Sequence, residues 1–163
     1  MTRTDPPHHG SEREILEGFL EYQRSTVFIK ARGLSDADAA KRLLPSLTTV
    51  TGLVRHLTDV ERYWFREVLL GESDVPFRYS EEDPDGEFRI TGTDSIEGEL
   101  TEYASALDEA RQSAALFQLD DRARDIRGQV SLRWVLVHMI EETARHLGHL
   151  DILRELLDGE TGE

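Results

Sequence analysis

A strip of four polar side chains near the C-terminal end has the residue types and spacing to perform chemistry. The stretch HMIEETARHLGH, residues 138–149, places His138, Glu142, His146 and His149 at steps of four, four and three. At about 100° per residue, these steps return to one face of a helix, so the four side chains could converge on one point. An i, i+4 pair of glutamate and histidine at this spacing can bind a divalent metal.

The apolar residues of the same predicted helix place this strip along the edge of a buried face. Glu142 and His146 lie nearest the centre of that face, whereas His138 and His149 lie further out. A buried carboxylate and a buried imidazole each need a partner, which a metal or a mutual hydrogen bond would supply. Considered alone, this helix slightly favours a structural hydrogen bond between Glu142 and His146 over a metal site. The apolar face comprises Leu132, Val135, Leu136, Met139, Ile140, Leu147, Leu150, Leu153 and Leu157.

Composition limits the class of protein. A length of 163 residues predicts a single domain, over 11–163, preceded by a flexible tail at 1–10 that contains two prolines and two adjacent histidines. The absence of cysteine excludes a disulfide framework, a thiolate metal site and a catalytic cysteine. The net charge of -14 would repel a phosphate backbone, so we expect no nucleic acid partner. No apolar run approaches a membrane span, and we expect a soluble, cytoplasmic protein.

Hydrophobic periodicity predicts four long helices and no strand, and therefore an all-α four-helix bundle. A short helical turn follows the first helix. The loop at 71–93 is much longer than the 2 to 8 residues that usually join antiparallel neighbours, so it predicts a crossover that leaves helices two and three parallel. The predicted helices span 11–33, 48–71, 94–117 and 131–158.

Helix two supplies a third candidate ligand. His56 is the only histidine outside the tail and the last helix, and it lies at the edge of the apolar face of helix two. Without cysteine, the plausible metal site is an open one with three histidine or carboxylate ligands. The candidate residues lie at matching edge positions on two helices, and this match favours a metal site over a purely structural role. The predicted ligand set is His56, Glu142 and His146. His149 could be a fourth ligand, a partner of a ligand or an acid/base group, and His138 could orient Glu142.

Two other features of helices two and four are interpreted as structural. Glu61 falls near the centre of the apolar face of helix two, where a buried carboxylate needs an arginine or hydroxyl partner, and a structural ion pair is the favoured interpretation. Trp64 and Trp134 lie at helical spacing and are predicted to belong to the core rather than to stack on a ligand.

Residues 53–65, LVRHLTDVERYWF, and 134–156, WVLVHMIEETARHLGHLDILREL, resemble the DinB-like superfamily. The resemblance extends over essentially the whole chain from helix one to helix four. It implies a four-helix bundle of up-down-down-up topology, with a metal bound by a histidine on helix two and by two residues four apart on the last helix. The pair Glu142 and His146 is similar to the branch of the mycothiol-dependent maleylpyruvate isomerase, in particular to its N-terminal metal-binding domain.

The resemblance also implies an activity. It indicates a zinc site, or alternatively a nickel site, at which a low-molecular-weight thiol such as mycothiol is activated as a thiolate toward a small electrophile. We therefore predict a metal-dependent thiol S-transferase with His56, Glu142 and His146 as ligands and His149 in a supporting role. The alternative is a non-catalytic bundle that binds a metal or small molecule as a stress-response or dimerisation module. Members of the superfamily often dimerise, which makes a homodimer an open expectation.

Overall fold

The computed structural model describes residues 3–125 and 129–162, and within these ranges the regular structure is helical, without a β-strand. The predicted all-α class is confirmed. Predicted helix two is an α-helix that continues directly into a π-helical segment, Tyr63–Leu69. The α-helices are α1 Glu12–Ala31, α2 Asp36–Ala39, α3 Val50–Arg62, α4 Ile96–Ala114 and α5 Leu132–Asp158.

Side chains at the helix starts satisfy N–H groups that have no partner within the helix. Ser11 and Glu14 form a reciprocal capping box at the start of α1. Thr49 accepts a hydrogen bond from Gly52 N–H at 3.0 Å, and Ser131 accepts one from Trp134 N–H at 3.3 Å, so the two helices that carry the candidate ligands both begin at a side-chain cap.

Polar contacts at the two ends of the bundle show that the first and last long helices, α1 and α5, run parallel. Arg133 near the start of α5 donates to Glu12 at the start of α1, at 2.6 Å. At the other end, Arg154 donates to the carbonyl of Lys30 at 2.6 Å. The first residues of both helices therefore lie at the same end of the bundle.

The two inner helices are also parallel to each other. Arg55 of α3 donates to Glu99 of α4 at 2.8 Å, and Arg66 in the π-helical segment donates to Glu109 further along α4 at 3.1 Å. The crossover, residues 70–95, thus carries the chain back along the bundle as the loop length predicts.

Ring contacts of α3 and of the π-helical segment that continues it with α5 show how the two parallel pairs are oriented. His56 lies against His146 with ring centroids 4.6 Å apart, and Trp64 lies against Trp134 at 5.1 Å. Increasing residue number on α3 thus corresponds to decreasing number on α5, so these helices are antiparallel. The topology is up-down-down-up.

The core fills the centre of this bundle in two adjoining parts, one around Leu57 and Tyr103 and the other around Phe65 and Met139. Over the described ranges, no helix is both long and apolar enough to cross a membrane.

The segment before α1 lies against that helix. The Arg3 guanidinium is 4.8 Å from the ring centroid of Tyr22. A Cβ on Gly18 would come within 2.5 Å of Pro7 Cδ, so the small residue permits this close approach. Mobility of residues 1–10 stays a prediction.

Candidate metal centre

Three of the sequence-predicted side chains meet between α3 and α5. Glu142 Oε1 is 2.9 Å from His146 Nε2 and 3.4 Å from His56 Nε2. One ligand atom from each of the three residues can be chosen so that all lie within 4.8 Å of one another. The side chains are only 15% exposed for Glu142 and His146 and 23% for His56, so the cluster is at the edge of the core as its wheel positions predict.

The donor atoms fit a small tetrahedral cation. Two atoms bound to one zinc at about 2.0–2.1 Å lie about 3.3–3.4 Å apart when the geometry is tetrahedral. The spacing from Glu142 Oε1 to His56 Nε2, 3.4 Å, matches this value, and the spacing to His146 Nε2, 2.9 Å, is a few tenths of an ångström shorter. Two imidazole nitrogens and one carboxylate oxygen form the three-ligand set typical of an open zinc site.

The electrostatics of the cluster favour the protonation states that bind metals. Burial acts to raise the pKa of Glu142, but the charges and hydrogen bonds of His146 and His56 outweigh it and lower that pKa. Burial and the neighbouring His56 lower the pKa of His146, against the opposing effect of Glu142. At neutral pH, Glu142 is therefore ionised and His146 is neutral, as ligation requires.

The local helix geometry explains why these side chains converge. Glu142 and His146 are one turn apart on α5 and project from the same face. His56 lies at the middle of α3, which runs antiparallel to α5. The sequence spacing places two candidate ligands together, whereas the contact with His56 requires the packing of α3 on α5.

The structure separates the roles of the two remaining histidines of the strip. His149 is exposed, and its Nδ1 is 3.3 Å from His146 Nδ1, on the side of that ring away from Glu142. His138 instead stacks on the Trp134 ring, with centroids 5.1 Å apart, and lies 4.6 Å from the Trp64 ring. His149 thus adjoins the cluster, whereas His138 belongs to an aromatic group one turn away.

The prediction of two core tryptophans is wrong for Trp134. Trp134 is 46% exposed, and Trp64 is only partly buried. The two rings pack on each other and on His138, where the π-helical segment faces α5. A three-and-four spacing identifies the buried side of a helix but not how far toward its margin a large ring extends.

Glu61 forms the predicted structural ion pair, and its partner is Arg24 of α1. The Arg24 Nε and Nη2 atoms donate to the two carboxylate oxygens at 2.8 and 2.5 Å. The side chains of Arg24 and Glu61 are 3% and 1% exposed. Sequence periodicity could not identify this partner, because the two residues lie on different helices and are 37 positions apart in sequence.

One residue that contacts the cluster could not be predicted from the sequence. Glu87, in a 3₁₀ turn of the crossover, Gly86–Phe88, places Oε1 at 3.2 Å from His56 Nδ1. Its neighbours in sequence form no periodic pattern, and an acidic run at 81–83 makes another loop glutamate unremarkable in the sequence. The contact depends on the path of the crossover.

A groove of about 450 Å³ between α1 and α4 is separate from this cluster. Arg13, Arg24 and Arg111 line it, and each forms an ion pair with a carboxylate: Arg13 with Glu17, Arg24 with Glu61, and Arg111 with Glu21. Because its cations are already neutralised within the protein, the groove has no free charge with which to bind an anion.

Comparison with known proteins gives one family. A family model described as mycothiol-S-transferase matches residues 15–159, a range that includes all three clustered residues and every long helix except the first turn of α1. A search of curated proteins finds no match.

Proposed function

The chain belongs to the mycothiol S-transferase family, whose fold is that of the DinB-like superfamily, and from this premise we propose that it transfers a small thiol to an electrophile at a metal bound by His56, Glu142 and His146. The observation that carries the proposal is the meeting of two Nε2 atoms at one carboxylate oxygen, with spacings suited to a tetrahedral metal. Mycothiol is the thiol that the family name suggests.

Zinc is the proposed metal, and nickel is the second candidate. Imidazole and carboxylate ligands suit both metals, and the three-residue set leaves a coordination position for a substrate atom. The Glu142–His146 pair is also the reason to propose the branch of the maleylpyruvate isomerase within the superfamily. Cytoplasmic location and a homodimer remain expectations from the sequence.

The chemistry requires a thiol sulfur that has lost its proton. A bound dication would supply stabilisation of the thiolate form, which is the nucleophilic form. The sulfur then forms a bond to the electrophilic carbon, and the leaving group departs with the bonding electron pair. For an electrophilic double bond, the electron pair moves to the adjacent atom, which takes up a proton.

The protein side chains perform binding and orientation in this proposal. Glu142 supplies the negative charge, and the two imidazoles supply neutral donors. His149 is proposed to orient His146, because its Nδ1 faces the His146 nitrogen that points away from Glu142. An acid/base role for His149 is the alternative, and its exposed position at the edge of the cluster is compatible with that role.

Metal content and thiol consumption test the proposal together. The wild type, purified without chelator and supplemented with zinc, is expected to contain about one metal per chain and to consume mycothiol with a bimane electrophile. His56→Ala and His146→Ala are expected to lose both properties. His138→Ala, a histidine of the same helix outside the cluster, is the matched control and should retain the metal.

The outcomes separate the enzyme from the binding module. A wild type that stays metal-free after supplementation contradicts the proposed site. If metal is bound but no thiol, mycothiol included, is consumed faster than without protein, the non-catalytic metal-binding bundle is the better description.

A further inference from the structure

Glu87 lies behind His56, on the side of the imidazole ring that faces away from Glu142. Glu87 Oε1 is 3.2 Å from His56 Nδ1, whereas His56 Nε2 faces Glu142 Oε1 at 3.4 Å. The Glu87 side chain is 6% exposed. Because it contacts the nitrogen opposite the cluster, Glu87 is not a fourth ligand for a metal at Nε2, and it can act on such a metal only through His56.

Phe88, the residue after Glu87, packs closely against α3 and holds this carboxylate in place. The Phe88 ring stacks on the His56 ring, with centroids 5.7 Å apart. A Cβ on Gly52, one turn before His56, would be only 2.7 Å from Phe88 Cδ1. The absence of a side chain at Gly52 therefore lets the 3₁₀ turn approach α3 closely enough for Glu87 to reach His56.

The residue before Glu87 is fixed as well. A Cβ on Gly86 would be 2.1 Å from the carbonyl oxygen of Arg78, so only glycine permits this approach. The Arg78 main-chain N–H donates to the buried Asp59 of α3 at 2.9 Å, and its guanidinium donates to the same carboxylate at 3.1 Å. The crossover is thus attached to α3 on both sides of Glu87.

The second carboxylate oxygen shows that stability alone does not account for a glutamate here. Glu87 Oε2 is buried and has no hydrogen-bond partner among the residues that the structure describes. A buried acceptor without a donor lowers the stability of the folded state. The favourable polar contact that the position does provide is the one to His56.

His56 has a carboxylate at each ring nitrogen, and a neutral imidazole carries only one N–H. A proton on Nδ1 is donated to Glu87 and leaves the Nε2 lone pair free to bind a metal. A proton on Nε2 is donated to Glu142 and blocks that lone pair. We propose that Glu87 is a positioning residue that holds His56 in the Nδ1–H tautomer and thereby raises the metal affinity of the cluster, an inference that rests on the proposed metal site.

The tautomer can be measured on the metal-free protein. Imidazole ¹⁵N chemical shifts of His56, recorded on the full chain at a pH where the ring is neutral, are expected to report Nδ1–H in the wild type. Glu87→Met keeps most of the side-chain length but removes the acceptor, and it is expected to shift His56 toward Nε2–H. Glu87→Gln retains an acceptor oxygen and is expected to keep Nδ1–H. An unchanged tautomer in Glu87→Met overturns the proposal.

Zinc affinity gives the second measurement, by competition with a chromophoric chelator. Glu87→Met is expected to bind zinc about 10- to 100-fold more weakly than the wild type, with Glu87→Gln between them. Asp83→Asn is the matched control, because it removes the ion pair to Arg89 in the same loop and does not contact His56; its affinity should not change. An affinity of Glu87→Met within twofold of the wild type overturns the proposal.

The two measurements also distinguish this inference from the proposed function. A wild type that binds no zinc contradicts the proposed function and the affinity effect with it, whereas the tautomer of metal-free His56 still tests the role of Glu87. A wild type that binds zinc, together with a Glu87→Met variant of equal affinity, contradicts the inference alone.

Discussion

Replacing Arg24 by alanine should leave a carboxylate unpaired in the core. Arg24 donates to both oxygens of Glu61, and the side chains are 3% and 1% exposed. Removing one partner of a buried ion pair costs about 3–5 kcal/mol, because the remaining charge loses its partner and cannot reach water. We expect Arg24→Ala to lower the free energy of unfolding by about this amount at pH 8.

The loss should depend on pH, with a sign that follows from Glu61. Burial raises the pKa of Glu61, against the opposite effect of Arg24. Without Arg24 the pKa of Glu61 in the folded state rises further above its unfolded value of about 4.3. Between the unfolded and the folded pKa of Glu61, the folded state therefore binds more protons than the unfolded state. Stability then falls as pH rises through that range. Arg24→Ala should accordingly be less destabilising at pH 5 than at pH 8.

Urea unfolding followed by circular dichroism at both pH values measures these effects. Arg111→Ala is the control, since Arg111 pairs with Glu21 across α1 and α4 and both side chains are more than a third exposed, at 35% and 37%. Such a pair contributes about 0–1 kcal/mol. The reasoning is refuted if Arg24→Ala costs no more than Arg111→Ala, or if its cost at pH 5 equals its cost at pH 8.

Two further predictions concern the candidate site. Gly52→Ala forces Phe88 away from α3 and should destabilise the protein by about 1–3 kcal/mol in thermal unfolding. Gly148→Ala is the control, because an added Cβ there meets no atom within 4 Å, and it should stabilise the protein by up to about 1 kcal/mol. Equal effects of the two substitutions would contradict the packing argument. Because the fold lowers the pKa of His146, the unfolded state binds more protons, and metal-free protein should lose stability as pH falls below about 6.5. His146→Leu should lose less between pH 7 and 5.5 in urea unfolding with chelator present, and an equal loss would assign the effect to other groups.

The sequence by itself determined the helices and part of the site. Cap residues such as Ser11 and Ser131 and the three-and-four spacing of apolar residues are local signals, so they predict where a helix begins and which side it buries. The pairing of Glu142 with His146 is equally local, because one helical turn brings these residues together wherever the helix lies. The length of the crossover was enough to predict that α3 and α4 run parallel.

Only the tertiary structure decided which residues face the cluster from elsewhere in the chain. His56 was a candidate from its edge position, but its distance to Glu142 depends on the packing of α3 against α5. The contact of Glu87 with His56, like that of Arg24 with Glu61, joins residues more than 30 positions apart, and no periodicity relates them. Such contacts depend on how whole helices and loops pack, and this packing is determined by many side chains together. The residue pattern of a single helix indicates only which of its own faces is buried.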